Sequence, residues 1–427
     1  MKNKIYLNPS SFVSTSGKPE TLIASVNRCT RCNACVQSCP SYLIKPEETA
    51  SPRGRVQLIR LILEGKVKPQ HHLPLIKHSL QDCLLCGRCT LACAGNIAVA
   101  QQVSCLSKAV NLPLMPASLK FFLHLKVLSP RFFDILIRFI QFLRYWKLFI
   151  VTGIGKKSSL YWIKYLHQTM PAPKQSLQAQ LRKNKINISP KKPDFIYLPS
   201  LQACYAEPDI GQKTLQLLAP KKTHILFHTS TGFFEYLHGE HTRCLSQAKH
   251  LLTQWEKLSS CKAPLVTDSW ETFAFLKNYP ILFASLSGWQ KRAEVFASHV
   301  RFVADFIKPK KSALNFKTAL DFSGLLFLPL ENISFSRRIL KTQAGKNLLE
   351  CDYSRFPIPL GSVLFARPAQ AEQVLLENVK DVARQQIKQV YCLSGWAALI
   401  LAHALKRHYP AAQAQHIVYL QDQHDRI

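Results

Sequence analysis

Two short cysteine runs constrain this chain more than any other feature of its sequence. Each run has four cysteines with the spacing Cys-x2-Cys-x2-Cys-x3-Cys, and 43 residues separate the two runs. Thiolates spaced this closely are typical ligands of iron–sulfur clusters, because iron in a cluster is held by soft sulfur ligands. The runs consist of Cys29, Cys32, Cys35 and Cys39, and of Cys83, Cys86, Cys89 and Cys93.

The spacing also predicts how the eight thiols are shared. Three cysteines of one loop can hold three corners of a cubane, and in two-cluster ferredoxins the fourth cysteine of each run binds the other cluster. The pattern therefore predicts two 4Fe-4S clusters, with no residue in a catalytic role. A pair of zinc sites is the alternative, although zinc more often uses two separate Cys-x2-Cys pairs. The predicted ligands are Cys29, Cys32, Cys35 and Cys93 for one cluster, and Cys83, Cys86, Cys89 and Cys39 for the other.

Helical patterns surround the two runs. Ser51 and Pro52 are typical of a helix N-cap and first position, and Gly65 is suited to closing that helix. Apolar residues at helical spacing follow in three segments. They are Val56, Ile59, Ile62 and Leu63, then Ile76 and Leu80, then Val99, Val103, Leu106 and Val110. Three arginines adjoin the cysteines, namely Arg28, Arg31 and Arg88. They either offset the negative charge of a cluster or are simply exposed to solvent.

Charge is distributed unevenly over the 427 residues. The net charge is +31, and residues 111–200 alone hold 15 basic and 2 acidic side chains. With cysteines concentrated before residue 106, this divides the chain into a cysteine domain, a basic connector and a C-terminal globular domain. Together with the helical patterns above and the alternating strands and helices described below, it predicts an α+β multidomain chain. The predicted domains are an α-helical ferredoxin domain (1–112), a basic, aromatic helical connector and linker (113–192), and a duplicated α/β domain with repeats at 193–311 and 312–427.

The connector is the basic region of the chain. Residues 119–150 hold nine aromatic and six Lys or Arg side chains with one acid. Such a helix can lie in a membrane interface or pack under the C-terminal domain. Charges interrupt it too often for a membrane span, and no recognition motif favours nucleic acid. The first 18 residues lack a secretory h-region, so a cytoplasmic location is expected, with possible peripheral binding to the inner face of the cell membrane.

The N-terminal motifs resemble those of the iron–sulfur subunit of glycolate oxidase. The resemblance rests on the two runs and on the segment Ser51-Pro52-Arg53-Gly54-Arg55 between them, where that family typically has Gly-Pro-Arg-Gly-Arg. It implies electron transfer from an FAD-containing dehydrogenase partner through two clusters to an acceptor such as quinone. The chain itself has no dinucleotide fingerprint. Arg53 and Arg55 are either recognition residues of the family or members of surface ion pairs.

The related iron–sulfur subunits of lactate utilisation, glycerol-3-phosphate dehydrogenase and heterodisulfide reductase remain alternatives, as does a docking protein with a degenerate C-terminal domain. The glycolate oxidase iron–sulfur family carries Cys-Cys-Gly motifs in its C-terminal repeats, whereas this chain has no Cys-Cys pair. Cys204 occupies the place of a leading cysteine. The other expected positions hold Ser230-Thr231-Gly232, Leu360-Gly361-Ser362 and Gly395-Trp396. A C-terminal metal site is therefore not expected.

Strands alternate with helices in the C-terminal half, which favours parallel α/β packing. Predicted strands are 194–198, 223–227, 324–328 and 389–393, with helices at 245–258 and 370–388. Four histidines lie close together in the sequence of this half, namely His224, His228, His238 and His241. Solvent-exposed or core positions are more typical of such histidines than metal ligation. The remaining cysteines are interpreted as small buried apolar residues, namely Cys105, Cys244, Cys261, Cys351 and Cys392.

Overall fold

A computed structural model provides the structure of the chain. It describes residues 22–95, 97–110, 118, 121, 132, 135–140, 171, 175–186, 189–190, 192–218, 222–227, 229–237, 240–259, 263–307, 318–321, 348–349 and 368–424. Most of the connector lies outside these residues, as do the predicted strand at 324–328 and the segment 360–362. Cys261, Cys351, His228 and His238 also lie outside them.

The N-terminal region is helical. Its longest helix begins where the sequence predicts, because the Ser51 hydroxyl accepts the Gly54 N–H at 2.8 Å and Pro52 occupies the first turn. Gly65, with φ +72°, follows the end of that helix. The helices are α1 (Leu22–Asn27), α2 (Ala34–Gln37), α3 (Pro40–Ile44), α4 (Pro52–Leu63), α5 (Leu73–Gln81), α6 (Arg88–Leu91) and α7 (Val99–Ala109), with a 3-10 turn at Glu48–Ala50.

Apolar faces of these helices form the core around the cysteine runs. The predicted positions on α4, α5 and α7 are buried, apart from Leu63, which only packs against this core. The same core continues into the C-terminal half through residues such as Leu251 and Trp255. The helical region therefore shares one apolar interior with the α/β region.

The first α/β unit contains a four-stranded parallel sheet with the order β2-β1-β3-β4. Its strands are β1 (Phe195–Leu198), β2 (Thr223–Ile225), β3 (Leu265–Thr267) and β4 (Val300–Phe302). Strands β1 and β2 confirm two sequence predictions, with β2 ending two residues early. The helices are α8 (Leu177–Lys183), α9 (Leu201–Tyr205), α10 (Pro208–Leu217), α11 (Phe233–Leu237), α12 (His241–Ser259), α13 (Trp270–Lys277), α14 (Tyr279–Leu282) and α15 (Ser287–His299), with a 3-10 turn at Val303–Phe306.

The second unit repeats this arrangement, with a parallel sheet of order β6-β5-β7-β8. Its described elements are β5 (Thr318–Asp321), β6 (Leu348–Leu349), α16 (Pro368–Arg384), β7 (Gln389–Cys392), α17 (Gly395–His408), β8 (Gln413–His416) and a 3-10 segment at Ile417–His424. Strand β7 and helix α16 confirm the predicted strand at 389–393 and helix at 370–388, while the predicted strand at 324–328 stays a prediction. The order of strands in the two sheets supports the predicted duplication, while the domain boundaries stay a prediction.

Carboxyl ends of the two sheets meet. The Trp270 N–H, just after β3, donates to the Leu393 carbonyl, just after β7, at 3.3 Å. His416, at the end of β8, donates from Nε2 to the Asp268 carbonyl at 2.9 Å. The connector also reaches this half, because Ile137 packs against Cys204 and Tyr205. Among the helices whose residues the structure describes, none combines the length and apolar character needed to cross a bilayer.

Candidate iron–sulfur centre

The two cysteine loops share an unusual backbone. In each loop the residues on both sides of the second cysteine are left-handed: Arg31 and Asn33 have φ values of 60° and 68°, and Leu85 and Gly87 have 52° and 70°. Non-glycine residues seldom adopt this region. Alternating right- and left-handed residues turn successive backbone N–H groups toward one concave side, an arrangement that suits anionic centres. The same geometry thus recurs at equivalent positions of both loops.

Backbone N–H groups in the loops donate to cysteine sulfurs. The pKa of Cys32 is lowered, first by the N–H of Ala34 and then by the Thr30 hydroxyl. In the second loop the Cys86 sulfur likewise accepts the N–H of the residue two positions later, Arg88. Donors of this kind favour the thiolate, which is the form that binds iron.

Cys29, Cys32, Cys35 and Cys93 form one group of thiols. The pKa of Cys35 is raised to about 11, first by burial and then by charge repulsion from the neighbouring Cys93, Cys29 and Cys32. Three members come from the first run and one from the second, as predicted. We call this group the outer thiols, because Cys32 is exposed and the other three are only partly buried.

Cys39, Cys83, Cys86 and Cys89 form the other group. Burial raises the pKa of Cys86 to about 12, with Cys39 and Cys83 adding to the effect. Burial also raises the pKa of Cys89 well above its usual value, followed by the effects of Cys86, Cys83 and Cys39. We call these the inner thiols, since Cys39, Cys83 and Cys89 are buried and Cys86 is partly buried.

Contact between two short helices explains the exchange of the fourth cysteine. Helix α2 follows the first loop and α6 the second, and the two helices pack together. Cys39 and Cys93 lie two residues beyond the ends of these helices, so each reaches the thiols of the other run. The structure therefore brings all eight predicted residues into the two predicted sets, while their ligation of iron stays a prediction. Within the described residues, no three His, Cys, Asp or Glu side chains are arranged to hold a single metal ion.

A buried arginine lies beside the inner thiols. Arg55 is 1% exposed; its Nε donates to the Ser79 carbonyl at 2.8 Å and its Nη1 lies 4.0 Å from the Cys39 sulfur. Nη2 is buried without a hydrogen-bond partner in the described residues. Eight soft donors in two sets and an orphaned buried cation fit two anionic thiolate-bound clusters.

Arg53 and Arg31 differ from Arg55. Arg53 donates to both carboxylate oxygens of Glu48, at 2.8 and 2.7 Å, and to the Asn33 side chain, so it forms the ion pair that the sequence left open. Arg31 is exposed and donates to Gln57 at 3.2 Å. Sequence reasoning missed the burial of Arg55. Its spacing of four residues from Ile59 and seven from Ile62, both buried, was the signal that could have revealed it.

Polar residues occupy the strand ends of the C-terminal half. Ser200 donates to Asp268 from its N–H at 2.7 Å and from its hydroxyl at 2.9 Å. Burial raises the pKa of Asp268 to about 6 and lowers that of His416 to about 4. Sequence reasoning did not single out Asp268, although residues that follow a parallel strand commonly face the crevice at the sheet edge.

The described cysteines outside the two runs are buried. Cys105, Cys204, Cys244 and Cys392 are all buried. Cys105 on α7 contacts His241 Nε2 at 3.3 Å, linking the helical region to the first α/β unit. These positions agree with the interpretation of such cysteines as core residues.

Comparisons with known proteins concern the N-terminal part of the chain. Residues 25–97 match the family described as a 4Fe-4S dicluster domain. The chain is 35% identical over 74 residues to a probable glycolate oxidase iron–sulfur subunit of Bacillus subtilis, covering 17% of this chain and 16% of the relative. It is also 35% identical over 72 residues to the glycolate oxidase iron–sulfur subunit of Escherichia coli, covering 16% of each.

The alignment thus spans about one sixth of each of these curated relatives. No solved structure is significantly similar to the chain. The matched residues include both cysteine runs and the Arg53-Gly54-Arg55 segment. The region that holds the outer and inner thiols is therefore similar to 4Fe-4S dicluster domains, in particular to those of glycolate oxidase iron–sulfur subunits.

Proposed function

We propose that the chain is the iron–sulfur electron-transfer subunit of a glycolate-oxidising complex. The observation that carries this proposal is the exchange of fourth cysteines between two loops of the same backbone geometry. Substrate oxidation takes place on FAD in a partner dehydrogenase subunit, and electrons pass through this chain to an acceptor such as quinone. Similarity to the two glycolate oxidase subunits supports the choice of complex.

Different residues of the chain have different roles in this electron transfer. When bound, the two clusters supply sites that accept and release single electrons. The eight thiolates hold the clusters, and the loop N–H groups orient and stabilise the sulfurs. The core around α4, α5 and α7 keeps water from the inner thiols, while exposed Cys32 leaves the outer thiols accessible to a redox partner.

Anaerobic reconstitution tests the two sites separately. We expect about eight irons per chain in the wild type, and about four in Cys35→Ser and in Cys89→Ser, because each removes one ligand set. Cys392→Ala, at a buried cysteine of β7, is the matched control and should keep full iron content. A wild-type chain without iron or acid-labile sulfide would refute the proposal.

The complex is tested by co-purification from the source cell. We expect a flavoprotein to accompany the chain and the pair to reduce a dye with glycolate. Dye reduction by the isolated chain with glycolate would contradict the division between subunits. A preference for lactate or glycerol 3-phosphate would favour a related dehydrogenase complex, and disulfide reduction by the chain alone would favour a heterodisulfide reductase-type subunit.

We also propose that the connector docks on the inner face of the cell membrane. Phe132, Ile135 and Phe139 recur at helical spacing and are 52%, 63% and 56% exposed. Exposed apolar side chains within a strongly basic segment suit an anionic lipid surface. Packing of Ile137 on Cys204 and Tyr205 leaves this apolar face outward.

Liposome flotation tests this docking. We expect the wild-type chain to float with vesicles containing anionic lipid, and the triple change of Phe132, Ile135 and Phe139 to Ser to weaken flotation, as should neutralising Arg138, Arg144 and Lys147. Val295→Ser, at an exposed apolar residue on α15, is the control. Flotation unchanged in both connector variants would rule out this mode of docking.

A further inference from the structure

We propose that Arg55 is the buried cation that raises the reduction potential of the cluster held by the inner thiols, leaving the outer cluster unaffected. The inference rests on the proposed function. It assigns to a residue of the Arg53-Gly54-Arg55 segment an electrostatic role that neither the sequence pattern nor the similarity to known proteins supplies.

Neutral contacts fix the Arg55 guanidinium. Its Nε donates to the Ser79 carbonyl at 2.8 Å, and the Ser79 hydroxyl in turn donates to the Thr49 carbonyl at 2.8 Å. Ser51 caps the helix that carries Arg55, which fixes the first turn of α4. The Ser79 carbonyl, on a residue that is itself anchored to Thr49, and a helix cap therefore hold the side chain in place without neutralising its charge.

No carboxylate balances that charge. Among the described residues no Asp or Glu forms an ion pair with Arg55, and its Nη2 is buried without a partner. A buried charge without a compensating partner is strongly unfavourable. Its Nη1 lies 4.0 Å from the sulfur of Cys39, one of the inner thiols. The inner thiols are therefore the groups that balance the cation.

A fixed cation near a cluster favours the reduced state. Reduction adds one negative charge, and in a buried site of low dielectric the attraction to a nearby cation is screened little. Arg55 should therefore stabilise the reduced inner cluster more than the oxidised one. Hydrogen bonds and net charge around the sulfurs are among the factors that set such potentials.

Arg53, two residues earlier, provides a matched control. Its side chain is 30% exposed, both Glu48 oxygens accept from it, and it faces Cys35 of the outer thiols. Its charge is compensated and partly screened by solvent. Removing it should change either potential little.

The test is an anaerobic redox titration of the loaded full-length chain, followed by the paramagnetic signals of the reduced clusters. We expect Arg55→Gln to lower the equilibrium constant for reduction of the inner cluster at least tenfold, a midpoint change of 59 mV for one electron. Arg55→Lys keeps the charge, so its equilibrium constant for reduction of the inner cluster should remain within twofold of the wild-type value. Arg53→Gln should leave the equilibrium constants for reduction of both clusters within twofold of the wild type. Cys32→Ser identifies which paramagnetic signal belongs to the outer cluster.

The outcomes separate this inference from the function on which it rests. Absence of iron in the wild-type chain would remove the proposed function. Normal iron content with an unchanged inner midpoint in Arg55→Gln would overturn the role of Arg55 alone. If Arg55→Gln fails to load the inner cluster, Arg55→Lys decides. An equilibrium constant for reduction within twofold of the wild type supports the role of charge, and a tenfold drop in that constant overturns it.

Discussion

Four left-handed residues determine where the cysteine sulfurs point. Arg31 and Asn33 in the first loop have the backbone of Leu85 and Gly87 in the second. Three of the four carry side chains that make this conformation costly, and only Gly87 adopts it without strain. Each loop therefore depends on its surroundings to hold this shape.

Gly87→Ala tests that dependence. We expect the holo chain to lose about 1 kcal/mol of stability, because alanine resists the φ of 70° found at this position. Thermal unfolding and iron content report the change. Asn33→Gly, at the equivalent position of the first loop, should preserve both quantities, and equal unfolding temperatures for Gly87→Ala and the wild type would contradict the argument.

At this scale the sequence predicts which thiols lie together, but not the environment around them. Cysteine spacing is a local property, so the two thiol sets were predictable from the motif alone. Burial of Arg55 depends on helix α5 and the Ser79 carbonyl, which are distant in sequence. Local pattern reasoning assigns arginine to solvent, and tertiary contact overrides it here.

Helix α4 is the element that positions the charged groups of the centre. Its first turn lies so close to the preceding 3-10 turn that a Cβ on Gly54 would overlap the Glu48 carbonyl oxygen. Arg53 and Arg55 flank this glycine; Arg53 contacts Glu48 and Asn33, and Arg55 contacts Cys39 of the inner thiols. Close backbone approach thus explains the glycine between the two arginines.

Gly54→Ala should destabilise the chain by about 2 kcal/mol, because backbone must move to accept the methyl group. Urea denaturation measures the loss. Gly288→Ala provides the control: a Cβ there meets no atom within 4 Å, so better helix propensity should leave stability equal or higher by up to about 1 kcal/mol. Similar effects of the two changes would argue against the close approach.

Strand ends β3 and β8 carry a buried acid and a buried histidine with opposite pH effects. The folded-state pKa of Asp268 is raised to about 6, so the folded chain binds more protons and this residue's contribution to stability falls as pH rises from about 4 to 6. The folded-state pKa of His416 is lowered to about 4, so its contribution rises with pH between about 4 and 6.5.

Single substitutions should reveal these opposed contributions. Relative to the wild type, His416→Gln should become less stable as pH rises from about 5 to 6, and Asp268→Asn more stable, each by up to about 1.4 kcal/mol per pH unit. Urea midpoints across this range measure both slopes. The double variant should parallel the wild type, and parallel profiles for all four proteins would show that neither group titrates as described.

At the scale of the whole molecule, the two thiol sets differ in exposure. The outer thiols include exposed Cys32, whereas three inner thiols are buried beneath the helices. Alternating strands and helices predicted the parallel sheets, but not that their carboxyl ends would meet through Trp270 and Leu393. That contact depends on how two separate units dock, which periodicity along one strand cannot encode.

Iron release should therefore proceed in two phases. With a ferrous chelator under native conditions, we expect about half of the iron to leave quickly, from the outer thiols, and the rest to follow on local unfolding. Absorbance of the chelator complex and the paramagnetic signals follow the two phases. Denatured chain should release all iron in one phase, and a single native phase that depletes both signals equally would contradict the difference in exposure.

Exchange of Cys39 and Cys93 between the loops has one more consequence. The turn between α4 and α5, residues 64–72, is largely exposed to solvent and open to a protease. With the ligation proposed above, a chain nicked there would stay in one piece, because each inorganic core would bridge both fragments as a disulfide does. Those fragments would then separate only when the metal is removed.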